Sequence, residues 1–207
     1  MTFQLDDVAL SVAIGLHLVF RLGYLYSVGV GLRVGERHCN EDPHSTYRRW
    51  LAFKKRTYVV FAGDVITTAA LLVITADTMG PQVPLVYTLP TSIILIVSGI
   101  LAKFAAYRVI GDKGFYYYNF FCNDEERSYV SKGIYRYLKN PMYSVGYLHA
   151  IGFPLLFRSS IGVAFGFFDW AIIWVFCLVF EHSHTSFHRA RLAAASSTDG
   201  IAERSLQ

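Results

Sequence analysis

Four apolar blocks dominate this chain and leave few folds open to it. Val8–Leu32, Thr57–Ala76 and Leu85–Ala106 each approach or exceed the ~20 residues that a helix needs to cross ~30 Å of hydrocarbon. The fourth block, Tyr143–Phe180, is too long for a single span and carries only Arg158 and Asp169 as formally charged side chains. It reads as two helices that turn near Arg158-Ser159-Ser160. Hydrocarbon offers no hydrogen-bond partners, so a spanning backbone must satisfy itself within a helix or a closed barrel. The expected fold is therefore all-α: a polytopic membrane protein of about five transmembrane helices, the last two forming a helical hairpin. A composition that is 54% apolar and only 16% charged agrees with that class.

Basic residues orient the spans. The segment Arg33–Arg56 holds seven of them, Arg33, Arg37, Arg48, Arg49, Lys54, Lys55 and Arg56, and is expected to be a loop, whereas Asp77–Pro84 holds none. By the positive-inside rule the first segment is cytoplasmic and the second external. Alternation then places Tyr107–Met142 and the C-terminal tail on the cytoplasmic side, with Lys113, Lys132, Arg136, Lys139, Arg189 and Arg191. A basic face on a membrane-embedded chain suits anionic lipid headgroups rather than nucleic acid. Asp6-Asp7 replaces the basic region of a cleavable signal, so the first helix is expected to remain a permanent span. Cys39, Cys122 and Cys177 are widely spaced, without a CxxC pair, and disulfides are not expected on that side of a membrane.

Residues 1–192 are expected to form one membrane-embedded domain, with 193–207 a flexible polar tail. Inside the spans, ionisable residues draw attention because their burial in lipid is costly. His17 and Arg21 lie one helical turn apart and either pair with Asp64 as structural glue or line an entry for a lipid. The structural pairing is the expected role. Lys103 is expected to snorkel to the inner interface. The segment Arg108–Asn140 is polar enough to leave the membrane but strongly aromatic, and Gly111, Gly114 and Gly133 divide it. Its run Tyr116–Tyr118 serves either as an interfacial anchor or as a lid over a bound molecule.

The sharpest signal is Gly133-Ile134-Tyr135-Arg136-Tyr137-Leu138-Lys139-Asn140-Pro141-Met142-Tyr143, followed about forty residues later by Glu181-His182. Asn-Pro alone is an ordinary turn before a helix; the longer run carries the information. Gly-x-Tyr-(x)3-basic-Asn-Pro-x-Tyr resembles the signature shared by isoprenylcysteine carboxyl methyltransferases and phospholipid N-methyltransferases. Asn140-Pro141-Met142-Tyr143 sits closest to the phosphatidylethanolamine N-methyltransferase type. Upstream, Gly111-Asp112-Lys113-Gly114-Phe115-Tyr116 is similar to a Gly-rich aromatic segment of that family, and Glu181-His182-Ser183-His184-Thr185 falls where it has Glu-Glu-Pro-Phe-Thr. The likeness covers about Gly99 to Arg191. Two positions depart from the pattern: the glycine expected two residues after the motif tyrosine is Val145, with Gly146 next, and the second glutamate is His182.

This resemblance implies S-adenosyl-L-methionine as cofactor and a membrane lipid as methyl acceptor, with the active site on the cytoplasmic face. The residues expected to hold the cofactor are Tyr135, Asn140, Pro141, Tyr143, Gly146, Tyr147 and Glu181. Those expected to take part in catalysis are Glu181, His182, Asn140 and Tyr143. The chemistry is consistent with those residue types. A sulfonium cation is attracted to aromatic faces, a buried charge needs a counter-charge such as Glu181, and free N–H groups at the start of a helix at Met142 suit a carboxylate. An amine acceptor titrates near ~10, so it must lose a proton, to Glu181 or His182. Carboxyl methylation of an isoprenylated cysteine is the neighbouring alternative, and a non-catalytic small membrane protein the more distant one. His182, His184 and His188 share a metal-compatible spacing, but no metal is expected.

Overall fold

The computed structural model describes residues 2–38, 42–81, 83–121 and 132–181. Its regular elements are all helical. In chain order they are α1 (Thr2–Arg37), α2 (Pro43–Ile74), α3 (Leu85–Phe115), the short α4 (His149–Leu156) and α5 (Ser160–Phe176), with 3-10 turns between α3 and α4. Among the described residues four helices are long and apolar enough to cross a membrane: α1, α2, α3, and α5 with its continuation to Phe180.

The basic segment after the first span is not a loop. α1 runs on to Arg37 and α2 begins at Pro43, leaving a short connection. Lys and Arg are good helix formers, so the helices continue past their apolar runs and carry the positive charge out of the lipid. Asp42 starts α2 by accepting the Ser45 N–H at 3.1 Å, with Pro43 in the first turn where no N–H is missed.

The hairpin expected at the end of the chain is present but unequal. α4 has eight residues and rises only ~12 Å, too little to span ~30 Å of hydrocarbon by itself. Its tip is fastened rather than free. Ser159 caps α5 through Gly162 N–H at 2.8 Å and meets Thr75 Oγ1 at 2.6 Å. Arg158 donates to Gly80 O at 2.6 Å and Val83 O at 2.8 Å. The half-helix and the α2–α3 connection therefore form one cap at that end of the spans.

Small residues let the helices approach. Ile96 lies against Gly152, His149 N is 2.7 Å from where a Gly99 Cβ would stand, and Lys103 Cγ lies 3.0 Å from the corresponding point on Gly146. These contacts run in order and set α4 antiparallel along α3. Between α1 and α2, Phe20 covers Gly63 and Phe53 covers Gly31. Close backbone approach through small residues is how helices associate in lipid, where burial alone drives little.

Polar glue holds the third interface. Asp169 on α5 grips Arg21 of α1 with two bonds, 2.8 and 2.6 Å, while Arg21 Nη1 is 3.2 Å from Asp64 of α2. His17 Nε2 lies 3.4 Å from Asp169, and Thr68 Oγ1 is 3.2 Å from His17 Nδ1. All four ionisable side chains are buried. The structural pairing of Arg21 with Asp64 is thus present, and Asp169 is the partner that helical spacing within a single element cannot disclose.

Candidate active site

An aromatic core gathers at one end of the spans: Val28, Leu32, Trp50, Phe53, Phe120, Phe121, Tyr143, Tyr147, Ile173, Phe176 and Cys177 are packed together. Trp50 and Tyr118 meet edge to face at 5.0 Å, and Trp50 Nε1 donates to Tyr116 O at 2.9 Å. Lys54 of α2 pairs with Asp112 of α3 at 2.6 Å and lies 4.9 Å from the Tyr116 ring centre. Tyr116 and Tyr118 therefore anchor the segment after α3 to α2.

The backbone there is forced into uncommon conformations. Gly111, at φ 66° and ψ −177°, breaks α3 in a region that only glycine adopts cheaply. Tyr117 stands in the left-handed region at φ 55°, uncommon for a bulky residue. The consequence is that Tyr117 turns away from its two tyrosine neighbours and donates to, or accepts from, Tyr143 Oη at 2.7 Å.

Beside that bond lies an open cleft of about 200 Å³ lined by Ile110, Gly114, Tyr117, Asn119, Phe120, Tyr135, Asn140, Pro141, Met142 and Tyr143. The structure thus brings Tyr135, Asn140, Pro141 and Tyr143 of the expected set together. Gly146 and Tyr147 lie behind it: Gly146 N donates to Pro141 O at 2.7 Å, and the Tyr147 ring faces Lys103 Nζ at 5.1 Å. Glu181 ends a π-helical continuation of α5, Cys177–Glu181, a distortion that often accompanies functional sites. Its side chain, and His182, His184 and His188, lie outside the described residues, as does the tail 193–207. Among the described residues no group of three metal-ligating side chains occurs.

The motif does not open a helix at Met142. Asn140 O accepts from both Tyr143 N and Ser144 N, at 3.2 and 3.0 Å, and Ser144 then leaves helical geometry at ψ −99°. Ser144 Oγ donates to the same Asn140 carbonyl at 2.7 Å, the local side-chain competition that makes serine a poor helix interior. α4 starts only at His149. Two side chains, one of α5 and one of its π-helical continuation, fix the motif instead. Trp170 Nε1 donates to Tyr143 O at 2.6 Å, and Asn140 Nδ2 approaches Cys177 Sγ at 3.6 Å. Sequence reading did not single out Tyr117, Asn119 or Trp170 individually; a signal existed only for Tyr117, inside the aromatic run.

Fold and site together define a class: an integral membrane protein of helices whose polar, aromatic cleft sits at one end of its spans. Residues 87–188 match the profile of the phospholipid methyltransferase family. Similar proteins include the phosphatidylethanolamine N-methyltransferases of Lodderomyces elongisporus, 28% identical over 67% of this chain and 16% of that relative, and of Candida dubliniensis, 27% identical over 72% and 18%. That of Lachancea thermotolerans is 25% identical over 58% of this chain and 14% of its own length. The chain thus spans less than a fifth of the length of these curated relatives. No solved structure matches it.

Proposed function

We propose that this chain transfers a methyl group from S-adenosyl-L-methionine to the amine of a phosphatidylethanolamine-type phospholipid, on the cytoplasmic face of its membrane. The observation that carries this reading is the convergence of Tyr117, Tyr135, Asn140 and Tyr143 in one cleft at the end of the spans, inside the segment matched by the phospholipid methyltransferase family.

The residues present fit the cofactor. Three tyrosines supply faces and hydroxyls for a sulfonium cation and an adenine ring, and Asn140 supplies an amide. The described walls enclose about 200 Å³, below the ~300 Å³ at which pockets begin to hold whole ligands, so they receive part of the molecule. Parting the Tyr117–Tyr143 hydroxyls would enlarge the space. When bound, the cofactor supplies an electrophilic methyl group on its sulfonium sulfur.

The chain's own contribution is placement. Trp170 holds the Tyr143 carbonyl and Cys177 the Asn140 amide, so both motif residues are oriented by α5 before any ligand arrives. Preorganised orientation of two reactants supplies several kcal/mol of catalysis. Glu181, which ends the π-helical continuation of α5, or its neighbour in sequence His182 is assigned to take the proton from the acceptor amine. The basic residues of the α1–α2 ends and of Lys132–Lys139 support a cytoplasmic placement.

Membranes containing the chain are to be incubated with S-adenosyl-L-methionine labelled in its methyl group and the lipids resolved. Label in methylated phosphatidylethanolamine species is the expected result. Label confined to isoprenylated protein replaces the acceptor with a carboxylate, and no label above membranes lacking the chain overturns the reading.

A further inference from the structure

Lys103 is an intramembrane cation that the proposed chemistry leaves without a task. It lies on α3, ~27 Å along the helix from Leu85 at 1.5 Å per residue, hence close to the far boundary of a ~30 Å hydrocarbon layer. That is the depth at which lipid phosphates begin. It does not snorkel outward: its ammonium sits 5.1 Å from the Tyr147 ring centre and 3.4 Å from His149 Nε2. His149 Nδ1 is 2.7 Å from Gly146 O; the carbonyl can only accept, so Nδ1 carries the proton and Nε2 is left as an acceptor for Lys103. Among the described residues no carboxylate lies within ion-pair distance of it. Asp64 and Asp169 spend their close contacts on Arg21 and His17.

A charge in lipid without a counter-charge is costly, and its ring and imidazole neighbours satisfy only part of a three-donor ammonium. The surroundings also offer a way in. α2 and α3 are tied at one end by Lys54–Asp112 and at the other by the short external connection. Between those ties they do not pack closely on each other, unlike α1 on α2 or α3 on α4. Lys103 is half-buried, and it lies against Gly146, which hydrogen-bonds the carbonyl of Pro141, a residue that lines the cleft.

We infer that Lys103 binds the phosphodiester of a membrane phospholipid that enters sideways between α2 and α3, holding the headgroup below the Asn140–Tyr143 cleft. The direction of the headgroup rests on the function proposed above; the phosphate contact does not. One face of the ammonium stays on Tyr147 while the other meets an anionic oxygen. The site therefore reads the phosphate common to phospholipids and leaves discrimination of the terminal group to the cleft.

The test is retention of lipid by the purified chain in detergent, read by native mass spectrometry, which requires no methyl transfer. Phosphatidylethanolamine is compared with diacylglycerol of the same acyl chains, in wild type, Lys103→Met and Lys103→Arg. Loss of one charge-assisted contact is expected to weaken phosphatidylethanolamine retention ~10-fold or more in Lys103→Met. Lys103→Arg is expected to keep it, and diacylglycerol retention to stay unchanged in all three. Equal loss of both lipids in Lys103→Met, or an undiminished preference for phosphatidylethanolamine, overturns the inference. Displacement of the lipid by millimolar inorganic phosphate would reassign the site to a free anion and overturn it as well. A wild type that retains phospholipid through Lys103 yet transfers no methyl contradicts the proposed function and not this site.

Discussion

Single residues carry disproportionate weight here because lipid gives a misplaced polar group nowhere to go. Asp169 and Arg21 illustrate it: each is buried, and each is the other's main partner. Removing one member of a buried ion pair strands the other, at ~3–5 kcal/mol. Asp169→Asn is therefore expected to lower the thermal unfolding midpoint in detergent by many degrees; a midpoint equal to wild type would show the network to be dispensable. Gly111 is the opposite case, since a Cβ there would touch nothing within 4 Å and only its backbone angles forbid a side chain. Gly111→Ala should cost ~1–3 kcal/mol from strain alone and displace Tyr117, seen as weaker cofactor binding. Binding as tight as in wild type would mean that the kink does not set Tyr117. Residues contiguous in the chain were legible at this scale: Asn140, Pro141 and Tyr143 stand together in one motif and line one cleft. Tyr117 and Trp170 come from separate elements, and nothing local in the sequence says that they meet Tyr143.

At the scale of elements, apolar run length located the long helices and the hairpin turn, because crossing hydrocarbon is a requirement on length. It could not tell where the first hairpin arm becomes a regular helix, which is only at His149. That depends on Ser144 drawing off the Asn140 carbonyl, a competition between side chain and backbone with no signature in hydropathy. The helix ends were also hidden, since Lys and Arg read as loop in a scan for apolar residues but are helical in fact. α3 and α4 touch through Gly99, Gly146 and Gly152, and the Gly99 position faces backbone rather than a yielding side chain. Gly99→Val should push α4 away from α3, at ~1–3 kcal/mol for overpacking. Since α4 follows the motif after the single turn Val145–Tyr147, cofactor affinity should fall along with thermal stability. Loss of stability with unaltered affinity would show that α4 is not what holds the motif in place.

For the molecule as a whole, the distribution of charge implies a fixed orientation. In a background with Cys39, Cys122 and Cys177 replaced by alanine, His44→Cys and Pro81→Cys report the two sides. An impermeant maleimide applied to intact cells should label Pro81→Cys directly and His44→Cys only after permeabilisation; the reverse pattern would place the cleft on the external face. That cleft is where every scale meets: residues set by a kink at Gly111, elements fastened by α5, and a molecule with its aromatic core at one end. The most direct measurement is calorimetric titration of the detergent-purified chain with S-adenosyl-L-methionine, beside Tyr143→Ala. Wild type is expected to bind saturably, and binding to weaken ~10-fold or more when the ring and its hydroxyl are removed. No binding at millimolar cofactor, or equal binding by Tyr143→Ala, would contradict this.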